Sequence, residues 1–152
     1  MARYVVHVRT PLDQTTAFDY MADLTNFERW DPGVLGVDQV DGTTPVLGAE
    51  YDVTVQAVPT LMVLRYRVVT FEPHHLVVAR AASRFLTSLD RITVDTDDEG
   101  TTVTYDAELT LSGPLGLADP LLAIAFKRIG DRAAAGLIEA LDGERVEWPA
   151  SK

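Results

Sequence analysis

The hydrophobic period of the chain changes three times. Residues 4–10 alternate, with Tyr4, Val6 and Val8 on one parity and His7 and Arg9 on the other, as in a strand with one buried face. A short helical stretch follows, in which Phe18, Met21 and Ala22 share a side. From Val34 to Leu111 the period returns to two. Tyr51, Val53 and Val55 alternate with Asp52, Thr54 and Gln56, and Met62, Leu64, Tyr66 and Val68 alternate with Arg65 and Arg67. Val103, Tyr105, Ala107, Leu109 and Leu111 alternate in the same way with Thr102, Thr104, Asp106 and Glu108. The last third is helical again: Leu122, Ala125, Phe126, Ile129, Ala133, Gly136, Leu137 and Ala140 form a stripe opposite Lys127, Arg128, Asp131, Arg132 and Glu139.

Local signals set the expected boundaries. Thr10 with Asp13 three residues on, and Pro11 between them, predicts a capping box; Thr25 with Glu28 predicts a second helical start. Asp31-Pro32-Gly33 stops that helix, and turns are expected at Asp41-Gly42, Val58-Pro59, Glu72-Pro73 and Asp98-Glu99-Gly100. Asp119 is expected to cap the long helix, Pro120 to open it and Gly143 to end it in a left-handed turn, giving a rod of roughly 30 Å. The predicted class is α+β: a curved antiparallel sheet of about seven strands wrapped around the carboxy-terminal helix, with two short helices after the first strand. Such a sheet offers more concave surface than one helix fills, which leaves room for a cavity, and the small residues Ala125, Ala133, Gly136 and Ala140 on the helix are expected to make that room.

The segment from Ala17 to Pro32, AFDYMADLTNFERWDP, resembles the opening of the START-like superfamily, also called SRPBCC, in its polyketide cyclase/dehydrase and lipid-transport branch. Pro114-Leu115-Gly116 and Asp119-Pro120-Leu121-Leu122 through Leu141 are similar to that branch's last helix. The resemblance covers nearly the whole chain. It implies the helix-grip fold and a deep apolar cavity, used across the superfamily for lipids, polyketides, isoprenoid quinones and plant hormones. These motifs are structural, and the superfamily shares no universal catalytic set.

Composition narrows the field. With 152 residues the chain is expected to form a single domain, 1–152, monomeric or homodimeric. Thirteen Lys and Arg against twenty-three Asp and Glu give a net charge of -10, which argues against nucleic acid as a partner. The absence of cysteine excludes a disulfide framework and a thiol nucleophile and fits the cytoplasm. No signal peptide and no integral membrane span are expected, because the apolar run near residues 121–126 is far shorter than the roughly 20 residues a bilayer requires. Hydrolase elbows, phosphate loops and zinc-protease motifs are missing, and neither metal nor cofactor is implied.

The candidate chemistry lies in polar groups on apolar parities. On residues 85–96, Leu86, Ser88, Asp90, Ile92 and Val94 share a face, which turns Asp90 inward in a regular register; a bulge between Ser83 and Asp90 would turn it outward. An inward carboxyl is a salt-bridge partner or a proton-transfer group. His75 shares parity with Val77 and Ala79 and stands as a second catalytic candidate at the cavity mouth, or as an exposed turn residue. The hydroxyls of Tyr51, Tyr66 and Tyr105 either enter the cavity or bond backbone within a core. Through the resemblance, Trp30 falls at the entrance. Met62, Leu64, Val77, Ala79, Ser88, Val103, Leu122, Phe126, Ile129, Ala133 and Leu137 complete the expected wall for a hydrophobic small molecule, a lipid, polyketide or isoprenoid. The expected function is a carrier or sensor; the alternative is a polyketide cyclase or dehydratase using Asp90 and His75.

Overall fold

The computed structural model describes residues 1–42, 46–57 and 60–147; the turn expected at Val58-Pro59 lies outside them. The elements are β1 (Ala2–Thr10), α1 (Gln14–Ala22), a 3-10 turn (Leu24–Asn26), α2 (Phe27–Trp30), β2 (Val34–Asp41), β3 (Glu50–Ala57), β4 (Thr60–Glu72), β5 (Leu76–Ala82), β6 (Leu86–Asp97) and β7 (Gly100–Leu111). A second 3-10 turn (Gly113–Ala118) leads into α3 (Asp119–Ala140), and a two-residue β8 (Glu144–Arg145) follows. All strands join one antiparallel sheet in the order β2-β3-β4-β5-β6-β7-β1-β8. This is the expected α+β helix-grip architecture; β8, too short to show a period, adds an eighth strand by pairing with Val8 and Arg9.

Several local expectations move. Thr10 does not cap α1: its hydroxyl accepts from Leu12 N at 3.2 Å and donates to the Leu141 carbonyl at 2.6 Å, tying the end of β1 to the end of α3. The cap of α1 is Asp13, whose Oδ1 accepts from Thr16 N at 2.7 Å, one turn later than the capping box predicts. Asp23, in place of Thr25, caps the next turn. At α3 the capping position is Ala118, with Asp119 already helical. After α3 the left-handed residue is Asp142, at φ 50°, and Gly143 serves a close approach, since a Cβ there would strike the Arg9 carbonyl oxygen.

The β6–β7 ladder runs without interruption from Leu86↔Leu111 to Asp97↔Gly100, so β6 holds one register and Asp90 faces inward. In β4 a register shift between Val68 and Thr70 passes the inward face from Tyr66 and Val68 to Phe71, bending the sheet where α1 crosses it. Phe18 of α1 meets Phe71 edge to face at 5.6 Å, and Val6, Val8, Val77, Ile92, Val94 and Val103 fill that end of the concave face. This half of the grip is solid.

α3 divides the other way. Its second half is seated, with Gly130, Ala133, Ala134 and Leu137 buried. Gly130 lies on the ring of Tyr4, and Gly136 meets the Trp30 carbonyl oxygen; a Cβ at either would clash. Its first half stands away, leaving Leu121 73% and Ile124 60% exposed. Hence the stripe expected from Leu122 to Ala140 is buried only in part. Gly136 is small so that two helices can touch, and Ala140 is exposed, so neither makes room for a cavity.

Gly136→Ala is therefore expected to destabilise by ~1–3 kcal/mol, the usual cost of overpacking, which lowers Tm by several degrees in a chain of this size. Gly36→Ala, which adds a methyl with nothing within 4 Å, should leave Tm nearly unchanged in the same thermal melts.

Candidate functional site

Between the concave sheet and the raised half of α3 lies a cavity of about 730 Å³. Its sheet side is built from alternate residues of β3, β4, β6 and β7, including Val53, Met62, Leu64, Leu86, Ala107 and Leu109. Leu122, Ala125, Phe126, Ile129 and Ala133 of α3 form its roof, while Tyr4, Phe27 and the α2–β2 turn of Asp31, Pro32 and Gly33 close one side. The exposed side chains of Pro32, Gln56, Ala125 and Arg132 mark the rim.

Four polar side chains meet at the inner wall. Asp90 on β6 is 4% exposed, and Tyr105 OH donates to its Oδ1 at 3.2 Å from the neighbouring β7. Tyr66 pairs in register with Ala81 and Ala81 with Ser88, so the tyrosine reaches over the small alanine, and its hydroxyl shares a 2.7 Å hydrogen bond with Ser88 Oγ. Trp30 supports Tyr105 from behind, edge to face at 5.1 Å. Burial pushes the Asp90 carboxyl up to about 7; hydrogen bonds from Tyr105 and Tyr66 hold the rise back, and the charges of Asp31 and Asp106 add to it. Burial likewise raises both tyrosines well above their usual range, so both hydroxyls keep their protons. No ion pair joins Asp90 to a cation among the described residues; Arg91, its neighbour on β6, pairs with Asp106 at 3.7 Å. Such a group can donate or accept a proton near neutral pH and can hydrogen-bond a ligand.

Of the expected wall, Met62, Leu64, Tyr66, Ser88, Tyr105, Leu122, Phe126, Ile129 and Ala133 line the cavity together with Asp90. Trp30, Tyr51, Val77, Ala79, Val103 and Leu137 do not, because each is packed into the core. Trp30 is 2% exposed and wedged between Phe27 and Tyr105; the turn after it, and not the indole, borders the opening. Tyr51 is fully buried, its hydroxyl has no hydrogen-bond partner among the described residues, and burial pushes it up to about 12. His75 is at the far end of the sheet, half exposed, with Nδ1 3.3 Å from the Val94 carbonyl and 3.5 Å from Asp95, and it takes no part in the site. The described residues hold no cluster of three or more His, Asp or Glu able to bind a metal ion.

Sequence reasoning missed Asp31 and Arg132. Asp31 reads as a helix stop, and it does cap its own turn, with Oδ1 accepting from Gly33 N at 2.8 Å; burial raises its carboxyl, while Gly33 and Arg132 restrain the rise. Arg132 falls on the polar side of the α3 stripe yet borders the rim. The one sequence signal for Asp31 was its position in the turn that the family resemblance places at the entrance; Arg132 carried none.

The profile of the family described as polyketide cyclase / dehydrase and lipid transport matches residues 1–142. Among solved structures, a START superfamily protein from Mycobacterium smegmatis superposes with a TM-score of 0.73 at 12% identity, covering 93% of this chain and 96% of that one. The di-domain ARO/CYC protein BexL of the BE-7585A biosynthetic pathway gives 0.67 at 16% identity, covering 93% of this chain and 50% of its own. Ginseng major latex-like protein 151 from Panax ginseng gives 0.58 at 14% identity over 86% and 97%. At these identities the likeness establishes the fold. No curated protein matches the sequence.

A carboxyl that keeps its proton to about pH 7 when folded, against a usual value of 3.8, binds more protons in the folded state than in the unfolded one. Its contribution to stability therefore falls as pH rises from about 4 to about 7. In thermal melts, Asp90→Asn should gain several degrees of Tm relative to the unsubstituted protein between about pH 4 and about pH 8. A difference that stays constant with pH would place the titration of Asp90 elsewhere.

Proposed function

Since the chain belongs to the polyketide cyclase / dehydrase and lipid transport family, we propose that it is a carrier or sensor that binds one hydrophobic small molecule between sheet and α3. The observation that carries this reading is the unfilled apolar space beneath the raised half of α3, where a packed protein would put side chains. Burying a few hundred Å² of ligand at about 25 cal/mol per Å² contributes several kcal/mol before ordering costs are subtracted. A lipid, a polyketide or an isoprenoid each suits such a wall. The net charge of -10 and the absence of cysteine support a single cytoplasmic domain that works without nucleic acid, and no described helix is long and apolar enough to cross a membrane.

One observation favours a second reading, a cyclase or dehydratase. Asp90 sits against two protonated tyrosines, and its carboxyl is raised into the range where one group can take and return a proton. In that case Asp90→Asn keeps ligand affinity and loses turnover, whereas a carrier shows no turnover to lose.

Titration with the neutral fluorescent probe N-phenyl-1-naphthylamine tests the carrier reading. The unsubstituted protein should bind it saturably, and Ala107→Phe, which projects a ring into the cavity from β7, should weaken binding at least about tenfold with unchanged circular dichroism. Equal binding by both proteins would put the probe elsewhere and remove the cavity from the account.

A further inference from the structure

If the cavity takes a hydrophobic ligand, as in the reading above, its inner end decides which head group that ligand carries. The groups there are Asp90, Tyr105, Tyr66 and Ser88, and none is cationic. Among the described residues the cavity wall carries one cation, Arg132, which is exposed at the rim and whose charge acts on Asp31. Asp90 is thus a buried carboxyl that faces apolar space, accepts from a tyrosine and has no counter-ion among the described residues. Tyr4, Phe27 and Phe126 add ring surfaces to those of Tyr66 and Tyr105 around the same space.

Three head groups behave differently here. A carboxylate would face Asp90 with no cation between them, so the two must share the one proton that Asp90 carries or repel as like charges in a low dielectric. A hydroxyl would donate to Asp90 and leave it without a counter-ion. A protonated amine would donate to the carboxylate, provide the missing charge and lie against aromatic faces, where cations are attracted. We propose that the inner end of the cavity is a recognition subsite for the protonated amine of a hydrophobic ligand, with Asp90 as its counter-ion. Tyr105 holds the carboxylate in place, and Tyr66 with Ser88 forms the polar wall beside it. The net charge of -10 draws such a cation toward the protein. Burial, with the charges of Asp31 and Asp106, outweighs the tyrosine hydrogen bonds and lifts the Asp90 carboxyl to about 7, and a bound ammonium favours the ionised form again.

Decylamine, 1-decanol and decanoate share a tail and differ only in the head, so displacement of N-phenyl-1-naphthylamine by each at neutral pH ranks the head groups. Decylamine should compete at least about tenfold better than 1-decanol, and decanoate should be weakest. Asp90→Asn should bring the three within about threefold of one another, whereas Asp38→Asn, which removes the same charge from an exposed position on β2, should keep the ranking. Equal competition by all three, parity of decanol with decylamine, or a preference for decanoate overturns the amine subsite while leaving cavity binding intact. An amine preference that survives in Asp90→Asn, or that falls equally in Asp38→Asn, overturns it too by assigning the effect to overall charge. Failure of the probe itself to bind counts against the carrier reading instead. If Asp90→Asn does not fold, the ranking by the unsubstituted protein decides alone.

Discussion

At Gly136 the main chain of α3 touches the Trp30 carbonyl oxygen, and at Gly130 it lies on the ring of Tyr4; neither contact admits a Cβ. Together they fix the second half of the helix against α2 and β1. Tyr4 strengthens the attachment by donating to Asp131 Oδ1 at 2.7 Å and accepting from Arg145 at 3.0 Å, which links β1, α3 and β8. With one end pinned so closely and the sheet curving away beneath it, the first half of the rod stands clear of β3, β4 and β6. The cavity follows from that geometry.

The concave face therefore works as two regions. Under α1, branched and aromatic side chains of β1, β5, β6 and β7 interdigitate around Phe18 and Met21 and supply the burial on which stability depends. Beyond Tyr105 the same strands carry Ala107, Ser88 and Asp90, side chains too small or too polar to close the space. A carboxyl buried without a cation is costly, and the fold moderates that cost by keeping the proton on Asp90 and directing a tyrosine hydroxyl at it. Trp30 joins the regions: its carbonyl seats α3, and its ring braces Tyr105.

Much of the architecture was legible because strand parity and helix period are local properties. Alternation turned Asp90 inward only in a regular register and left a bulge before it as the alternative; the unbroken β6–β7 ladder decides for the regular register. What failed depended on tertiary distances. Small residues on α3 signal space in a sequence without saying whether that space is void or occupied by another backbone; Ala125 and Ala133 border the cavity, whereas Gly136 and Gly130 are filled by Trp30 and Tyr4. Parity also places Tyr51, Val77, Ala79 and Val103 on the concave face correctly, yet it carries no information about which part of that face α1 covers. Of the two places open to His75 it takes the exposed turn and not the cavity mouth, because the β4–β5 turn, with His74 at φ 68°, lies at the α1 end. At the start of α1 the hydroxyl of Thr10 is directed to a carbonyl 131 positions away, and no local motif reports that contact.

Methyl NMR during titration with N-phenyl-1-naphthylamine tests most directly the claim that a ligand occupies the space under the raised half of α3. The account predicts the largest shifts at Met62, Leu86, Leu109, Leu122 and Ile129, with Val8, Val68, Val94 and Val103 of the solid half nearly unmoved. Shifts confined to the outward-facing Leu35, Val63, Leu117 or Leu121, with the inner wall silent, would contradict it.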